Sequence, residues 1–165
     1  MNPARSNRWY ADRDALRLIA LRYLPLLVAL NFAWETAQLP LYTLWIEGSP
    51  SFIAYSVVHC TRGDVLIGAA AIAVALIVTR APRLARWRWG PIALVTTLVS
   101  AGYTGLSEWI NTVAVPHWAY SELMPVVRAF GVEIGLSPIL QWLLLPPLAL
   151  WFALRSVKGD RHGAS

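Results

Sequence analysis

The stretch FIAYSVVHCTRGDVLIGAAAIAVALIVT, residues 52–79, decides the fold of this chain. It is long enough to cross a bilayer as a helix, because about 20 apolar residues span a hydrocarbon core about 30 Å thick. Arg62 and Asp64 nevertheless lie near its middle, and Glu35 and Glu108 lie within other apolar stretches. A charge at a helix centre costs roughly 2.5 to 3.5 kcal/mol, so we expect these four residues to pair or to serve a function.

The composition indicates a membrane protein. The 165 residues are 57% hydrophobic and only 14% charged, which is too apolar for an ordinary soluble domain of this length. We therefore predict an all-α polytopic membrane protein, with four transmembrane helices in a bundle that forms a single domain over residues 21–155. The predicted spans cover residues 21–46, 52–79, 91–115 and 137–154. A polar amphipathic tail, residues 1–20, precedes the domain, and a short tail, residues 156–165, follows it.

The positions of the basic residues predict the orientation. The net charge of +5 could indicate a nucleic-acid partner, but twelve of the fourteen Lys and Arg residues fall in three segments, 5–22, 80–88 and 155–161. These segments precede the first span, separate the second span from the third, and follow the last. Because loops rich in Lys and Arg stay in the cytoplasm, we expect both termini there, in a multi-pass protein of the cell inner membrane with no nucleic-acid partner.

The segment between the third and fourth spans, residues 116–136, is long for a connector. We expect it to form an interfacial helix or a re-entrant cap, a lid over the outer mouth of the bundle. Ser137 and Pro138 follow this segment. Because serine is a good N-cap and proline suits the first helical position, they predict where the last span begins.

Polar residues of the spans predict a pocket in the outer half of the membrane. At about 1.5 Å per residue from the outer helix ends, they lie between the outer boundary and the midplane. The candidate catalytic residues are Glu35, His59, Arg62 and Glu108. The other side chains expected to line the pocket are Asn31, Trp34, Gln38, Tyr42, Tyr55, Thr104, Asn111, Gln141 and Trp142.

Asp64 is predicted to have a separate, structural role. At about 100° per residue it falls on the side of its helix opposite Arg62, together with Gly68, Ala71 and Ala75. Small residues allow helices to approach closely. We therefore expect Asp64 to make a helix contact outside the pocket, unless Gly63 breaks the helix and brings both residues inward.

The remaining polar residues of the pocket each have two interpretations. Glu35 could pair with Arg62 and pin two helices together, or burial could favour a neutral acid that donates and accepts protons. Glu108 has the same alternatives, and His59 is either a hydrogen-bonded packing residue or a proton relay. The sequence has no zinc-ligand spacing, nucleotide-binding glycine loop or nucleophile triad, so we expect no metal and no cofactor.

Three runs carry a resemblance: NFAWETAQLP at Asn31–Pro40, HCTRGD at His59–Asp64 and GLSPILQWLLLPP at Gly135–Pro147. They resemble segments of small bacterial polytopic inner-membrane proteins that have no assigned activity. Trp118 and Tyr120, which precede a proline-containing span, also resemble membrane enzymes of carotenoid metabolism, but the paired acidic residues of such cyclases are missing after Pro138. The resemblance implies a membrane location and transfers no activity to this chain.

Three functions are compatible with such a pocket. The first is an intramembrane enzyme with Glu35 and Glu108 as acid and base, assisted by His59 and Arg62, on a lipid or isoprenoid ligand that enters from the bilayer. The second is a proton-coupled transporter or channel subunit that works as a homo-oligomer. The third is a structural scaffold whose buried charges only specify helix pairing.

Overall fold

The computed structural model describes residues 7–115, 118–129 and 131–162, which are mostly helical. The helices are α1 (Arg13–Leu18), α2 (Leu24–Gln38), α3 (Leu44–Glu47), α4 (Pro50–Val78), α5 (Trp89–Trp109) and α6 (Leu136–His162). Shorter helical turns cover Trp9–Ala11, Ile19–Tyr23, Leu39–Leu41, Leu84–Arg86 and Ile110–Ala114. Two strands, β1 (Val126–Ala129) and β2 (Val132–Gly135), precede α6. Parts of the predicted tails and lid, residues 1–6, 116–117, 130 and 163–165, lie outside the described residues.

Three helical stretches are long and apolar enough to cross a membrane: Arg13–Leu41, Pro50–Val78 and Leu136–Arg155. They make the chain compatible with an integral membrane protein. The predicted third span corresponds to α5, which is not among these three stretches. Serine, threonine and glycine residues and Glu108 lower the hydropathy of α5. A fourth span therefore remains a prediction.

The first long helix differs from its predicted boundaries at both ends. It begins at Arg13 rather than Leu21, because α1 continues through a π-helical turn into α2. At the other end α2 stops at Gln38, and a 3-10 turn and the short α3 follow. Pro40 has no backbone N–H, so it cannot continue the hydrogen bonds of the α-helix. The helix therefore ends before the predicted boundary at residue 46.

The second membrane-type helix, α4, has a well-defined start. The Ser49 side chain accepts a hydrogen bond from the Phe52 N–H at 3.3 Å, and Pro50 occupies the first helical turn. Both residues suit a helix N-terminus, because serine satisfies an unpaired N–H group and proline has none to satisfy. The helix then continues over 29 residues to Val78.

The four long helices pack in neighbouring pairs. Helix α2 contacts α4 and α6, and α5 contacts the same two helices. An apolar core fills the half of this arrangement near the first helix's N-terminal end and includes Leu27, Ile72, Leu76, Ile92 and Leu150. Ala75 and Ala149 are fully buried among these side chains, which allows close approach of the helix backbones. The polar side chains are left to the opposite half.

The predicted lid contains a β-hairpin rather than a helix. Strands β1 and β2 pair antiparallel, and Gly131 has a φ of 77° in the connection between them. Glycine has no Cβ, so it adopts this left-handed backbone without steric cost. We call the half of the molecule that carries β1 and β2 the hairpin end.

Backbone hydrogen bonds attach the segment before the hairpin to the chain that follows α2. The Thr43 N–H donates to the Ala119 carbonyl at 3.0 Å, and the Ser121 N–H donates to the Leu41 carbonyl at 3.0 Å. The Ser121 hydroxyl also donates to the Pro40 carbonyl at 2.8 Å. The break of α2 at Pro40 thus exposes carbonyl groups that hold this segment in place.

Candidate functional site

A cavity of about 950 Å³ opens at the hairpin end, among α2, α4, α5 and α6. Its lining includes most of the side chains that the sequence analysis selected. These are Glu35, Gln38, Tyr42, Tyr55, His59, Thr104, Glu108, Asn111, Gln141 and Trp142. The polar residues of four separate helices therefore meet in one space.

Three selected residues do not line the cavity: Asn31, Trp34 and Arg62. Asn31 is fully buried behind the cavity wall, where its side-chain oxygen accepts a hydrogen bond from Gln141 at 2.7 Å. Trp34 is half-buried, and its indole N–H has no partner among the described residues. Arg62 is exposed on the surface of α4.

The predicted pairing of Arg62 with Glu35 is not present in the described part of the chain. The ion pair described there joins Arg128 and Glu133 in the hairpin. Arg62 and Asp64 are two residues apart on α4, so they face opposite sides of it. With Arg62 outside, the electrostatic balance that we expected from an arginine inside the pocket is missing.

Asp64 lies in the cavity, and this corrects its predicted position on a separate face. Its Oδ2 accepts a hydrogen bond from the Gln141 side-chain amide at 2.9 Å. The contact does join α4 to α6, as expected of a helix contact, but it does so inside the cavity. Asp64 is also half-buried and lies at the midpoint of the 29-residue α4.

Glu35 and Asp64 form a pair of adjacent carboxyl groups. The Gln141 amide reaches both, because the same nitrogen lies 3.3 Å from Glu35 Oε1. Two ionised carboxylates in such proximity repel each other, and an ionised carboxylate can only accept hydrogen bonds. A proton held by one of the two groups would remove this repulsion between α2 and α4.

A second row of hydrogen bonds fixes the Glu35 side chain. The Gln38 amide donates to Glu35 Oε1 at 2.7 Å, and the Gln38 carbonyl oxygen accepts from the Ser137 hydroxyl at 2.8 Å. Both Gln38 and Ser137 are buried. Ser137 was predicted as a helix cap, yet its hydroxyl supports the carboxyl pair through Gln38.

Glu108 is a third carboxyl group in the cavity, contributed by α5. Its Oε2 accepts a hydrogen bond from the Tyr120 hydroxyl at 2.5 Å, and the Tyr120 oxygen accepts from the Gly135 N–H at 2.9 Å. Burial raises the pKa of Tyr120, and the hydrogen bond to Glu108 raises it further. Tyr120 is thus a neutral donor that connects Glu108 to the hairpin.

Tyr120 and Trp118 are site residues for which the sequence predicted no role in the pocket. Trp118 lines the cavity, and its buried indole N–H lies near Glu108 but outside hydrogen-bond geometry. Both belong to the predicted lid, whose conformation the sequence left open. The aromatic residues of that segment were the available signal.

Thr104 supplies a buried polar group without a partner. It lines the cavity from α5, is only 7% exposed, and its hydroxyl makes no hydrogen bond within the described chain. A buried hydroxyl without a partner costs free energy. A bound molecule that reached Thr104 would remove this cost.

The described cavity lining is rich in acidic side chains. It contains Glu35, Glu47, Asp64 and Glu108, and no Lys or Arg occurs among the described lining residues. His59 is the basic side chain of this set, and it lies at an exposed position where its Nδ1 is 3.4 Å from the Tyr55 hydroxyl. Glu35, Asp64 and Glu108 are less exposed than His59, whereas Glu47 is exposed.

The cavity also reaches the outer surface of the helices. Phe52 and Tyr55 on α4 and Tyr103 on α5 line it and are between 54% and 60% exposed. These exposed aromatic side chains mark an opening between α4 and α5.

Among the residues that the structure describes, no three His, Cys, Asp or Glu side chains are placed to hold a metal ion. The arrangement is instead suited to proton transfer, because its carboxyl groups are joined to amide and hydroxyl donors. No family model, curated protein or solved structure matches the chain.

Proposed function

We propose that this protein is an integral membrane enzyme that transfers protons to and from a lipid or isoprenoid substrate bound in the cavity. The observation that carries the proposal is the adjacency of the Glu35 and Asp64 carboxyl groups, which share the Gln141 amide in the cavity, with the carboxyl group of Glu108 on another helix. General acid and base catalysis requires a proton donor and an acceptor within reach of one substrate.

The proposed reaction divides the three acids into two roles. The carboxyl pair holds one proton and donates it to a substrate atom. Glu108, positioned by Tyr120, accepts a proton from a second atom of the same substrate. After each turnover Glu108 releases the proton that it accepted, and the carboxyl pair takes up a new one. We assign this proton exchange with solvent to His59 at the exposed rim of the cavity.

The proposed orientation follows from the basic loops. We place four spans in the cell inner membrane, both termini in the cytoplasm, and the hairpin end on the outer side. The substrate enters from the bilayer through the opening beside Tyr55 and Tyr103, which suits an apolar molecule. Arg62, exposed on α4, has no catalytic role in this proposal.

The test measures the lipids of cells that express the protein. Glu35→Gln and Asp64→Asn should each preserve insertion and folding while abolishing conversion of the lipid whose abundance depends on the wild-type protein. Glu122→Gln is the matched control, because Glu122 is an exposed carboxylate outside the cavity. Full conversion by both cavity variants would refute the proposal, and failure of both to fold would favour the scaffold.

A proton-coupled carrier is the second function with specific support. Asp64 lies at the middle of α4, about 21 Å from either end at 1.5 Å per residue, where transporters commonly place their coupling sites. Proteoliposomes that contain the carrier should change their internal pH when its solute is added. Glu35→Gln should abolish that change, whereas an enzyme would show turnover without any pH change.

A further inference from the structure

We propose that the substrate of this cavity is a cationic amphiphile, with a positively charged head group among Glu35, Asp64 and Glu108 and an apolar chain between α4 and α5. This inference rests on the proposed function and names its substrate class. Three features support it: the acidic cavity lining, the aromatic side chains of the lining and the buried polar groups without hydrogen-bond partners.

The charge of the lining is the first argument. If Glu35 and Asp64 together hold one proton, the pair carries one negative charge, and Glu108 adds a further carboxyl group. The described lining offers no Lys or Arg to neutralise them. Buried charges are normally paired. A positively charged head group would supply the missing charge, whereas a phosphate or carboxylate head group would face repulsion.

The aromatic lining is the second argument. Tyr42, Trp118 and Trp142 line the cavity. Tyr42 also contacts Tyr120, with ring centroids 5.7 Å apart. The faces of aromatic rings attract cations, and such rings form the recognition sites for quaternary ammonium groups. Acidic and aromatic side chains together favour an ammonium group over a neutral polar head group.

Unpaired polar groups are the independent sign of a ligand. The Thr104 hydroxyl and the Trp118 indole N–H are both buried in the cavity lining without hydrogen-bond partners. The hydroxyl can accept a hydrogen bond from a protonated amine or donate one to a ligand oxygen, while the indole N–H can only donate. A head group that carries an amine and a neighbouring hydroxyl or ether oxygen would satisfy both.

The path of the apolar chain follows the exposed aromatic residues. Phe52 and Tyr55 stack with centroids 6.3 Å apart on α4, and Tyr103 lies on α5 at the same opening. A chain that leaves between them remains in contact with lipid. The carboxyl groups stay inside with the head group.

The first experiment compares three probes of equal chain length on the full-length protein in nanodiscs: dodecyltrimethylammonium, dodecanol and dodecyl sulfate. Competition against radiolabelled dodecyltrimethylammonium gives each affinity relative to empty nanodiscs. The cationic probe should bind at least about tenfold tighter than dodecanol, and dodecyl sulfate should bind weakest. Equal or tighter binding of dodecanol or dodecyl sulfate would overturn the inference.

Variants locate the binding site. Combined Glu35→Gln and Asp64→Asn should reduce the affinity for the cationic probe by about tenfold and leave the affinity for dodecanol unchanged. Glu122→Gln, the control outside the cavity, should change neither affinity. An unchanged preference in the double variant would also overturn the inference.

A second measurement on the unaltered chain covers the case in which the double variant fails to fold. Cys60 is the sole cysteine and lines the cavity. Its thiol should react faster with a trimethylammonium methanethiosulfonate than with the sulfonate analogue, by about tenfold beyond the ratio for a free thiol. A ratio equal to that of a free thiol, or one that favours the anionic reagent, would contradict an anionic cavity.

Failure of this inference is distinguishable from failure of the proposed function. If the protein turns over a neutral or anionic lipid and its activity requires Glu35, the enzyme proposal stands and the cationic substrate is refuted. If the cationic probe binds as expected but no lipid conversion depends on the carboxyl groups, the head-group assignment stands and the enzyme proposal is refuted.

Discussion

At the scale of single residues, Gln141 holds three helices together. Its side-chain nitrogen lies 2.7 Å from Asn31 and 2.9 Å from Asp64, and it also reaches Glu35. Since one amide nitrogen carries only two hydrogens, these acceptors share them. Gln141 is 1% exposed, so water cannot replace this donor without entering the core.

Gln141→Leu should therefore lower the free energy of unfolding by about 1 to 3 kcal/mol, because buried acceptors are left without a donor. Reversible unfolding in detergent micelles measures the change. Leu144→Ala is the control on the exposed side of the same helix and should change stability by less than about 0.5 kcal/mol. Equal losses for the two variants would show that the network contributes nothing specific.

Arg62 provides the opposite case, a charge on the exposed surface of α4. Arg62→Leu should leave the stability unchanged or increase it, since no described carboxylate loses a partner. If Arg62 instead formed a buried pair with Glu35, its removal would cost about 3 to 5 kcal/mol. The same micelle unfolding experiment decides between these outcomes.

Tyr120 gives a pH-dependent prediction. Its pKa is raised above the ordinary 10.0 in the folded protein, so the stability from its neutral hydroxyl is complete below pH 10. That stability is lost only as the pH rises through the higher folded value. At about pH 11, folded wild type and Tyr120→Phe should show the same tyrosinate absorbance, because Tyr120 is still protonated. A larger signal from the wild type would contradict the raised pKa.

At the scale of elements, the contact between α2 and α4 depends on Gly68. A Cβ at this position would collide with the Leu27 side chain and lie 3.5 Å from Trp142. Leu27 is fully buried, so it has little room to move. The glycine thus sets how closely the two helices approach below the carboxyl pair.

Gly68→Val should lower the free energy of unfolding by about 1 to 3 kcal/mol through overpacking. Gly102→Ala, where a Cβ would meet open space on α5, should be neutral or stabilising by up to about 1 kcal/mol. Thermal unfolding of both variants in the same detergent compares them. Similar melting temperatures for the two would argue against the close approach at Gly68.

The helices also show which structural features can be predicted from local sequence. Ser49 and Pro50 define the start of α4 through local chemistry, and such signals are readable without tertiary information. The rotation of α4 about its axis is different. A membrane helix is apolar toward lipid and toward its neighbours alike, so hydropathy does not say whether Arg62 or Asp64 faces inward.

At the scale of the whole molecule, the sequence predicted the membrane character and the gathering of polar side chains at one end. It did so because charged residues in apolar spans are few and costly. The hairpin could not be predicted in the same way. Strands β1 and β2 are only four residues long each, and the attachment of Ser121 to Pro40 joins residues 81 positions apart.

The proposed orientation can be checked with Cys60, which lines the cavity at the hairpin end. A membrane-impermeant thiol reagent should modify Cys60 in intact right-side-out vesicles and leave it unmodified in inverted vesicles. Denatured samples give the total thiol for comparison. Labelling only in inverted vesicles would reverse the proposed topology.

The bond between Asp64 and Gln141 also has a consequence for biosynthesis. Asp64 lies in the middle of α4, and its amide partner is made 77 residues later in α6. During synthesis Asp64 and the nearby Arg62 therefore reach the insertion machinery before Gln141, the hydrogen-bond partner of Asp64, has been made. The nascent α4 would be held near the translocon or by α2 until α6 arrives, so a chain that lacks the last helix should be a preferred target of membrane proteases.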